Sequence, residues 1–238
     1  MIKLINIKNL KENFYLQFFA LLGAVFLFVG KPVPYSNEYS YLLRLRKVYE
    51  PNFLANDITF STPTNEYWLF DHIFGLPTLF LSIETVGWIG RIACWSVLLF
   101  ALMKLGKRWE IPVWMISASI FLWLYVGQSI IAEEWMFGGF EAKCVAYVCL
   151  IFALDRFCGE KDISSAILLG LAFAFHPVVG LWGIAAAVPA LLICRRDILQ
   201  TLKVAVIAGA FSLIGAIPLL QMRADSVEPT TENLKYFQ

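Results

Sequence analysis

Glu141 and Lys143 are two ionisable residues at the start of an apolar run that reaches Ala153. Ionisable side chains at the head of a membrane-spanning helix usually face a protein interior or a water-filled cavity, so this pair is a candidate functional site. Because residues two apart on a helix point to different faces, we expect Glu141 to fix Lys143 only indirectly and to contact His176 or the first outer loop instead. The alternatives are a buried structural pair with other helices, or interfacial charges that snorkel toward water.

Two carboxylates lie in the largest polar region of the chain, residues 31–67. Glu38 is near its start, and Asp57 follows 19 positions later, after a turn at Pro51. If the intervening helix folds back, the two carboxylates could bind a divalent cation or divide the roles of base and metal ligand. The simpler structural interpretation is that Asn37 caps a helix and that Glu38 suits its first turn electrostatically.

The two histidines of the chain stand beside residues that point to a role. Asp71 precedes His72 and could cap or orient it, which would make a catalytic or ligand-binding pair. His176 precedes Pro177, which removes a backbone donor and turns the chain. The structural alternative is that His176 satisfies a backbone carbonyl that this proline frees.

The composition identifies the class of protein. Of the 238 residues, 59% are hydrophobic and 16% are charged, whereas a soluble domain is roughly 45–50% apolar. The sequence therefore predicts an all-α, polytopic helical membrane protein with a single membrane domain over residues 1–238. The formal charge of +1 and the absence of a basic tract exclude nucleic acid as a partner, because phosphate backbones are bound by clustered Lys and Arg.

Apolar segments supply the helices that must position these residues. They cover residues 14–30, 68–83, 84–105, 111–127, 140–157, 164–176, 178–193 and 202–220. A helix needs about 20 residues to cross a bilayer, so 164–176 and 178–193 predict a tight hairpin of two short helices that do not fully cross. The segment 68–83 is predicted to lie in the outer leaflet, and the periodicity of 39–49 predicts a helix in the membrane interface.

Basic residues orient the helices, because Lys and Arg accumulate in short cytoplasmic loops. If the N-terminus is cytoplasmic and the spans alternate, every one of these basic groups falls on the cytoplasmic side: Lys3, Lys8, Lys11, Lys104, Lys107, Arg108, Arg156, Lys161, Arg195, Arg196 and Lys203. The candidate residues Asn37, Glu38, Asp57, Asp71, His72, Glu141, Lys143 and His176 then all fall on the other side. We predict a multi-pass protein of the inner (plasma) membrane whose site faces outward.

The order of these features resembles the GT-C class of integral-membrane glycosyltransferases: a first span, a long outer loop with an early acidic residue, an interfacial helix and further spans. Three segments are similar to an uncharacterised bacterial family of GT-C-like membrane proteins. They are Asn37-Glu38 with Pro51 and Asp57, then Gly138-Gly139-Phe140-Glu141-Ala142-Lys143, then His176-Pro177 with Gly180 and Trp182. The resemblance runs from about residue 14 to about residue 220.

The resemblance implies a GT-C-like N-terminal module that uses a polyprenyl-phosphate-linked sugar at the outer membrane face. Glu38 would be the catalytic base that takes a proton from the acceptor hydroxyl, and Asp57 would assist it or hold a divalent cation. Lys143 and His176 would suit the donor phosphate, for which a lysine is a compact point charge. The expected substrate-binding set is Asn37, His72, Glu141, Lys143 and His176.

One departure from the GT-C pattern keeps other functions open. Many GT-C enzymes carry paired acidic residues in the first outer loop, whereas Asn37 precedes Glu38 here. Either Asp57 replaces the missing carboxylate, or the scaffold has been kept without that chemistry. The alternatives are a non-enzymatic membrane protein that binds or moves a lipid or an anionic solute, and a membrane assembly partner. Because GT-C proteins usually have more spans, we expect the chain to be the N-terminal part of a longer protein.

Overall fold

The computed structural model describes residues 13–57, 60, 65–128 and 135–225, with side chains up to Met222. Within these ranges the chain is helical and has no strand, which confirms the predicted fold class. Lys3, Lys8 and Lys11, which orient the predicted N-terminus, lie outside the described residues. The α-helices of the described ranges are α1 Phe14–Val29, α2 Glu38–Tyr49, α3 Trp68–Gly75, α4 Ile83–Arg108, α5 Val113–Tyr125, α6 Ala142–Cys158, α7 Asp162–Phe175, α8 Pro177–Arg195 and α9 Ile198–Asp225.

Three of these helices are long and apolar enough to cross a membrane. They are α4, α8 and the part of α9 that ends at Met222. The helices α1, α5 and α7 are apolar but shorter, with 16, 13 and 14 residues. The chain is therefore a helical membrane protein by helix length and composition, while its orientation and the identity of the membrane stay predictions.

Two packing regions hold the helices together. In the first, α4 packs against α1 and α5 around Trp95 and Leu99, which are almost completely buried. In the second, α7 lies between α6 and α9 and presents small residues to both. A Cβ atom at Gly170 would lie 2.5 Å from the carbonyl oxygen of Ala208 in α9, so the glycine allows the close approach that membrane helices favour.

The turn at His176 joins α7 and α8 into a helical hairpin, as predicted. His176 has extended backbone (φ −146°, ψ 102°) and ends α7 while it caps α8, where its Nδ1 accepts a hydrogen bond from the N–H of Val179 at 3.3 Å. The prediction that both helices are too short to cross is wrong for α8, which has 19 residues and reaches Arg195. Helix geometry continues past the apolar segment because Cys194 and Arg195 still suit a helix C-terminus.

The helices over residues 68–79 are each too short to cross a membrane, which agrees with the prediction that this segment is not a simple span. α3 has eight residues, about 12 Å of helix, and a short 3-10 helix follows over Leu76–Leu79. A Cβ atom at Gly75 would lie 2.5 Å from the carbonyl oxygen of Leu45, so α3 lies directly against α2. Ser82 then caps α4 by accepting a hydrogen bond from the N–H of Thr85 at 3.2 Å.

Polar groups gather at both ends of the helix bundle. At one end, which we call the basic end, Asp155 is buried and binds Lys104 at 3.0 Å and Arg108 at 2.7 Å. Arg195 contacts Glu160 at 3.3 Å beside them. The opposite end, which we call the loop end, carries residues 30–57, 60, 65–82 and 135–141 and the turn at His176. All candidate residues of the described chain belong to the loop end.

Candidate functional site

The carboxylate of Glu38 is completely buried at the loop end. Its Oε2 accepts a hydrogen bond from the N–H of Tyr35 at 3.0 Å, and its Oε1 accepts one from the N–H of Phe140 at 2.6 Å. Arg91 donates to both oxygens, from Nε to Oε1 at 2.7 Å and from Nη2 to Oε2. Asn37 occupies the cap position of α2 but is exposed and makes no side-chain cap.

Arg91 is the partner that sequence reasoning missed. It lies in α4, is 1% exposed, and also donates to the carbonyl oxygens of Lys31 and Pro32. Its guanidinium lies 5.1 Å from the centroid of the Trp88 ring. A guanidinium that meets a carboxylate through two nitrogens forms the strongest kind of ion-pair geometry. The sequence did carry a signal for it: Arg91 is an ionisable residue inside the longest apolar segment, and such residues are candidate functional-site residues.

These contacts occupy the Glu38 carboxylate. A carboxylate has about four lone-pair sites, and Glu38 accepts four hydrogen bonds from the protein. Gly139 closes the remaining side, because a Cβ atom there would lie 2.8 Å from the Cβ of Glu38. A general base must reach the proton that it abstracts. The geometry therefore favours a structural role for Glu38, which ties α2 to α4 and to the 138–140 turn, over the predicted role of base.

Glu141 and Lys143 contact each other directly, so the prediction of an indirect contact is wrong. The Nζ of Lys143 lies 3.5 Å from Oε2 of Glu141. The helical rule does not apply because Glu141 is the cap residue of α6 and has extended backbone, with φ −129° and ψ 159°. The direction of its side chain is therefore not set by helix geometry, and the carboxylate can point toward Lys143 in the first turn of α6. Both side chains are buried, with Glu141 1% and Lys143 7% exposed.

Aromatic rings surround this ion pair. The Lys143 ammonium lies 4.1 Å from the centroid of the Trp135 ring, a distance typical of a cation–π contact. On the side of the first outer loop, burial raises the pKa of Tyr41, and the neighbouring Tyr67 hydroxyl and Glu141 carboxylate raise it further. Tyr41 therefore stays neutral, and the Glu141 carboxylate acts electrostatically on this residue of the first outer loop.

Two further contacts extend the group to the α7–α8 turn. The ring centroids of Tyr41 and Tyr67 are 5.0 Å apart. Tyr67 in turn stacks on His176 at 5.1 Å with an interplanar angle of 22°. We call this connected set the Lys143 cluster. Its members are Tyr41, Tyr67, Trp135, Glu141, Lys143 and His176.

The described contacts of Asp57 and His72 are with residues in and next to α2 and α3. Asp57 follows the turn at the C-terminal end of α2, where Lys47 donates to the carbonyl oxygen of Phe53 at 3.2 Å. His72 donates from Nδ1 to the carbonyl oxygen of Trp68 at 2.8 Å and packs against that ring at 4.3 Å. The contacts of Glu38 described above include neither residue, and the joint role of Glu38 and Asp57 stays a prediction.

Asp71 is a buried carboxyl beside the Lys143 cluster. It is 2% exposed, and its Oδ1 has no hydrogen-bond partner among the described residues. Its backbone N–H donates to the carbonyl oxygen of Tyr67 at 2.9 Å. Burial raises its pKa to about 7, while the Arg44 guanidinium lowers it and the Glu66 carboxylate raises it. A carboxyl of this kind can gain or lose a proton near neutral pH.

Comparison with known proteins gives the chain no family. It matches no protein-family model, no curated protein and no solved structure.

The predicted residues thus divide into three groups. Glu141, Lys143 and His176 come together in the Lys143 cluster. Glu38 pairs with Arg91 and accepts a hydrogen bond from the N–H of Phe140, the residue before Glu141. In the parts of the chain that the structure describes, no three His, Cys, Asp or Glu side chains gather as ligands for a metal ion, so the divalent cation stays a prediction.

Proposed function

We propose that this membrane protein binds a lipid with a phosphate headgroup at its loop end, with Lys143 as the principal cation. The observation that carries the proposal is the buried Lys143 ammonium, held 3.5 Å from Glu141 and 4.1 Å from the Trp135 ring. Burying an ammonium costs free energy unless it is paired, and these contacts hold the cation in place. A lysine placed in this way is a compact point-charge partner for a phosphate.

The other members of the Lys143 cluster suit the rest of such a headgroup. The tyrosine hydroxyls can donate and accept hydrogen bonds, and the Glu141 carboxylate can accept them. His176 brings an imidazole from the opposite side of the cluster. A lipid headgroup with hydroxyl groups beside its phosphate would therefore meet complementary partners. Binding of this kind needs no proton acceptor, which agrees with the saturated carboxylate of Glu38.

The second candidate is sugar transfer from a polyprenyl-phosphate-linked donor, the activity that the GT-C resemblance implies. The observation that favours it is Asp71. General acid–base catalysis works best when the pKa of the catalytic group lies near the operating pH, and Asp71 has a pKa of about 7. In this form of the proposal Asp71, rather than Glu38, accepts the proton of the acceptor hydroxyl.

Replacing Lys143 by methionine should weaken the binding of farnesyl phosphate about tenfold to a hundredfold, since a hydrogen bond to a charged group contributes about 1.5–3 kcal/mol. The measurement is calorimetric titration of the protein in detergent. Lys107→Met is the matched control, because Lys107 is an exposed lysine at the basic end and the substitution removes the same charge. Unchanged affinity in Lys143→Met, or an equal loss in Lys107→Met, would overturn the assignment of the phosphate site.

Incubation of the protein with a polyprenyl-phosphate-linked sugar and an alcohol acceptor separates the two candidates. Release of free polyprenyl phosphate would support transfer. Binding of the donor without any release would support the binding function alone.

A further inference from the structure

A groove with a volume of about 440 Å³ runs between α1 and α5. Each helix lines it with one face: Gln17, Ala20 and Ala24 from α1, and Trp114, Ser117 and Ala118 from α5. Other faces of the same two helices pack against α4, which is a candidate membrane span. The groove, which we call the α1–α5 groove, therefore lies at the level of the bilayer and opens away from the core around α4.

Small residues form the α1 side of this groove and continue beyond it. Ala20, Gly23 and Ala24 follow one another at intervals that place them on one face of the helix. A Cβ atom at Gly23 would have no atom within 4 Å, so the space beside this glycine is open in the single chain. Small residues let two membrane helices bring their backbones close together. This face could therefore accept another helix, and the polar side chains in the groove bear on which one.

Ser117 carries a buried hydroxyl that the described part of the chain does not satisfy. The residue is 8% exposed, and its Oγ has no hydrogen-bond partner among the described residues. Ser212 in α9 is equally buried, but its hydroxyl donates to the carbonyl oxygen of Ala208 at 2.8 Å. An unsatisfied polar group costs free energy in hydrocarbon, and acyl chains offer it no partner. The occupant of the groove must therefore bring a hydrogen-bonding group to the depth of Ser117.

Gln17 supplies such a group when the occupant is a second copy of the chain. Its amide has two N–H donors and one carbonyl acceptor, so it can pair with an identical amide and also with a hydroxyl. Gln17 and Ser117 line the same groove. Because all copies insert into the membrane with the same orientation, each copy carries this amide at the same depth. A two-fold axis along the membrane normal can then bring the two amides together.

We propose that the α1–α5 groove is the interface of a symmetric homodimer in the membrane, in which α1 of each copy lies in the groove of the other. Gln17 of one copy meets the same amide of its partner and reaches the hydroxyl of the partner's Ser117. The small residues of α1 allow the close approach that these hydrogen bonds need. Such a contact is closed by its own symmetry, so the assembly stops at two copies.

Filling the space beside Gly23 tests this interface. The measurement is Förster transfer between donor- and acceptor-labelled copies in liposomes as lipid is added, with the labels on the exposed Cys194. We expect Gly23→Leu to weaken dimerisation at least tenfold, because the new side chain keeps the two α1 backbones apart. Gly209→Leu is the matched control, because Gly209 in α9 also has open space around it. Equal dimerisation affinities in the two variants would overturn the interface.

Two smaller changes test the polar contact without filling the groove. We expect Gln17→Leu and Ser117→Ala each to weaken dimerisation about threefold to thirtyfold, the range that hydrogen bonds between membrane helices contribute. Ser212→Ala is the control for the serine and should leave dimerisation unchanged, because that hydroxyl has its partner within its own chain. The thermal midpoint of Ser117→Ala under monomeric conditions should not fall, since the substitution removes a hydroxyl that the single chain leaves unsatisfied.

Two results would overturn the homodimer. One is full dimerisation affinity in both Gln17→Leu and Ser117→Ala. The other is the absence of transfer in the unsubstituted protein at the highest protein density, in which case lipid or the helix of another protein covers the α1–α5 groove.

Discussion

Replacing Arg91 by methionine is expected to destabilise the protein by about 3–5 kcal/mol, the usual cost of removing one partner of a buried ion pair. Glu38 is completely buried and would keep only the N–H groups of Tyr35 and Phe140 as donors. An unpaired carboxylate in this position loses the attraction that offsets its removal from water. The carbonyl oxygens of Lys31 and Pro32 would lose their donor as well.

The thermal midpoint of the detergent-solubilised protein measures this effect. Arg46→Met is the control, because its pair with Glu50 at 3.0 Å is about one-third exposed and such surface pairs contribute about 1 kcal/mol or less. The double variant Glu38→Gln with Arg91→Met should recover much of the loss, since it removes the buried carboxylate together with its partner. Equal midpoints for Arg91→Met and Arg46→Met would show that the Glu38–Arg91 pair does not hold the loop end together.

The helices were predictable because hydrophobic pattern is a local property of the chain. The apolar segment 84–105 became α4, and the periodicity of 39–49 became α2 with Leu42 and Leu45 buried. The end of α8 was predicted too early, because the apolar segment stops before the helix does. The length of an apolar run therefore does not fix the length of its helix in either direction, since α5 (Val113–Tyr125) is shorter than its segment 111–127.

Partners across long sequence distances were not predictable. Arg91 and Glu38 are 53 positions apart, and no local pattern joins them. The Glu141–Lys143 contact was rejected on helical spacing, which fails when one of the residues is a cap with extended backbone. Sequence reasoning did place Glu141, Lys143 and His176 on one side of the membrane, and the structure brings those three into one cluster.

The aromatic members of the site escaped sequence reasoning for a different reason. Tyr41, Tyr67 and Trp135 have the residue types that are common at both membrane surfaces, so their types do not mark a site. Only the contacts distinguish them: a ring over the Lys143 ammonium, a hydroxyl beside Glu141 and a stack on His176. An aromatic residue of a membrane protein becomes a candidate site residue when the structure places it against a buried charged side chain.

Asp71→Asn is expected to remove a pH dependence of stability that the unsubstituted protein shows between about pH 4 and pH 7. The folded-state pKa of Asp71 is about 7, against an ordinary value of 3.8. The folded state therefore binds the proton more tightly than the unfolded state, and the free energy of unfolding falls as the pH rises through this window. Three pH units at about 1.4 kcal/mol each correspond to a loss on the order of 4 kcal/mol. The asparagine cannot ionise, so the variant should be the more stable protein at pH 8.

Thermal midpoints between pH 4 and pH 9 measure this difference, with Glu66→Gln as the control. Glu66 is a half-exposed carboxylate that raises the pKa of Asp71, so its removal should keep the pH dependence and move it to lower pH. A profile that is the same for Asp71→Asn and the unsubstituted protein would show that the Asp71 carboxyl ionises normally after folding. Sugar transfer through Asp71 would then lose the observation that favours it, the raised pKa of this carboxyl.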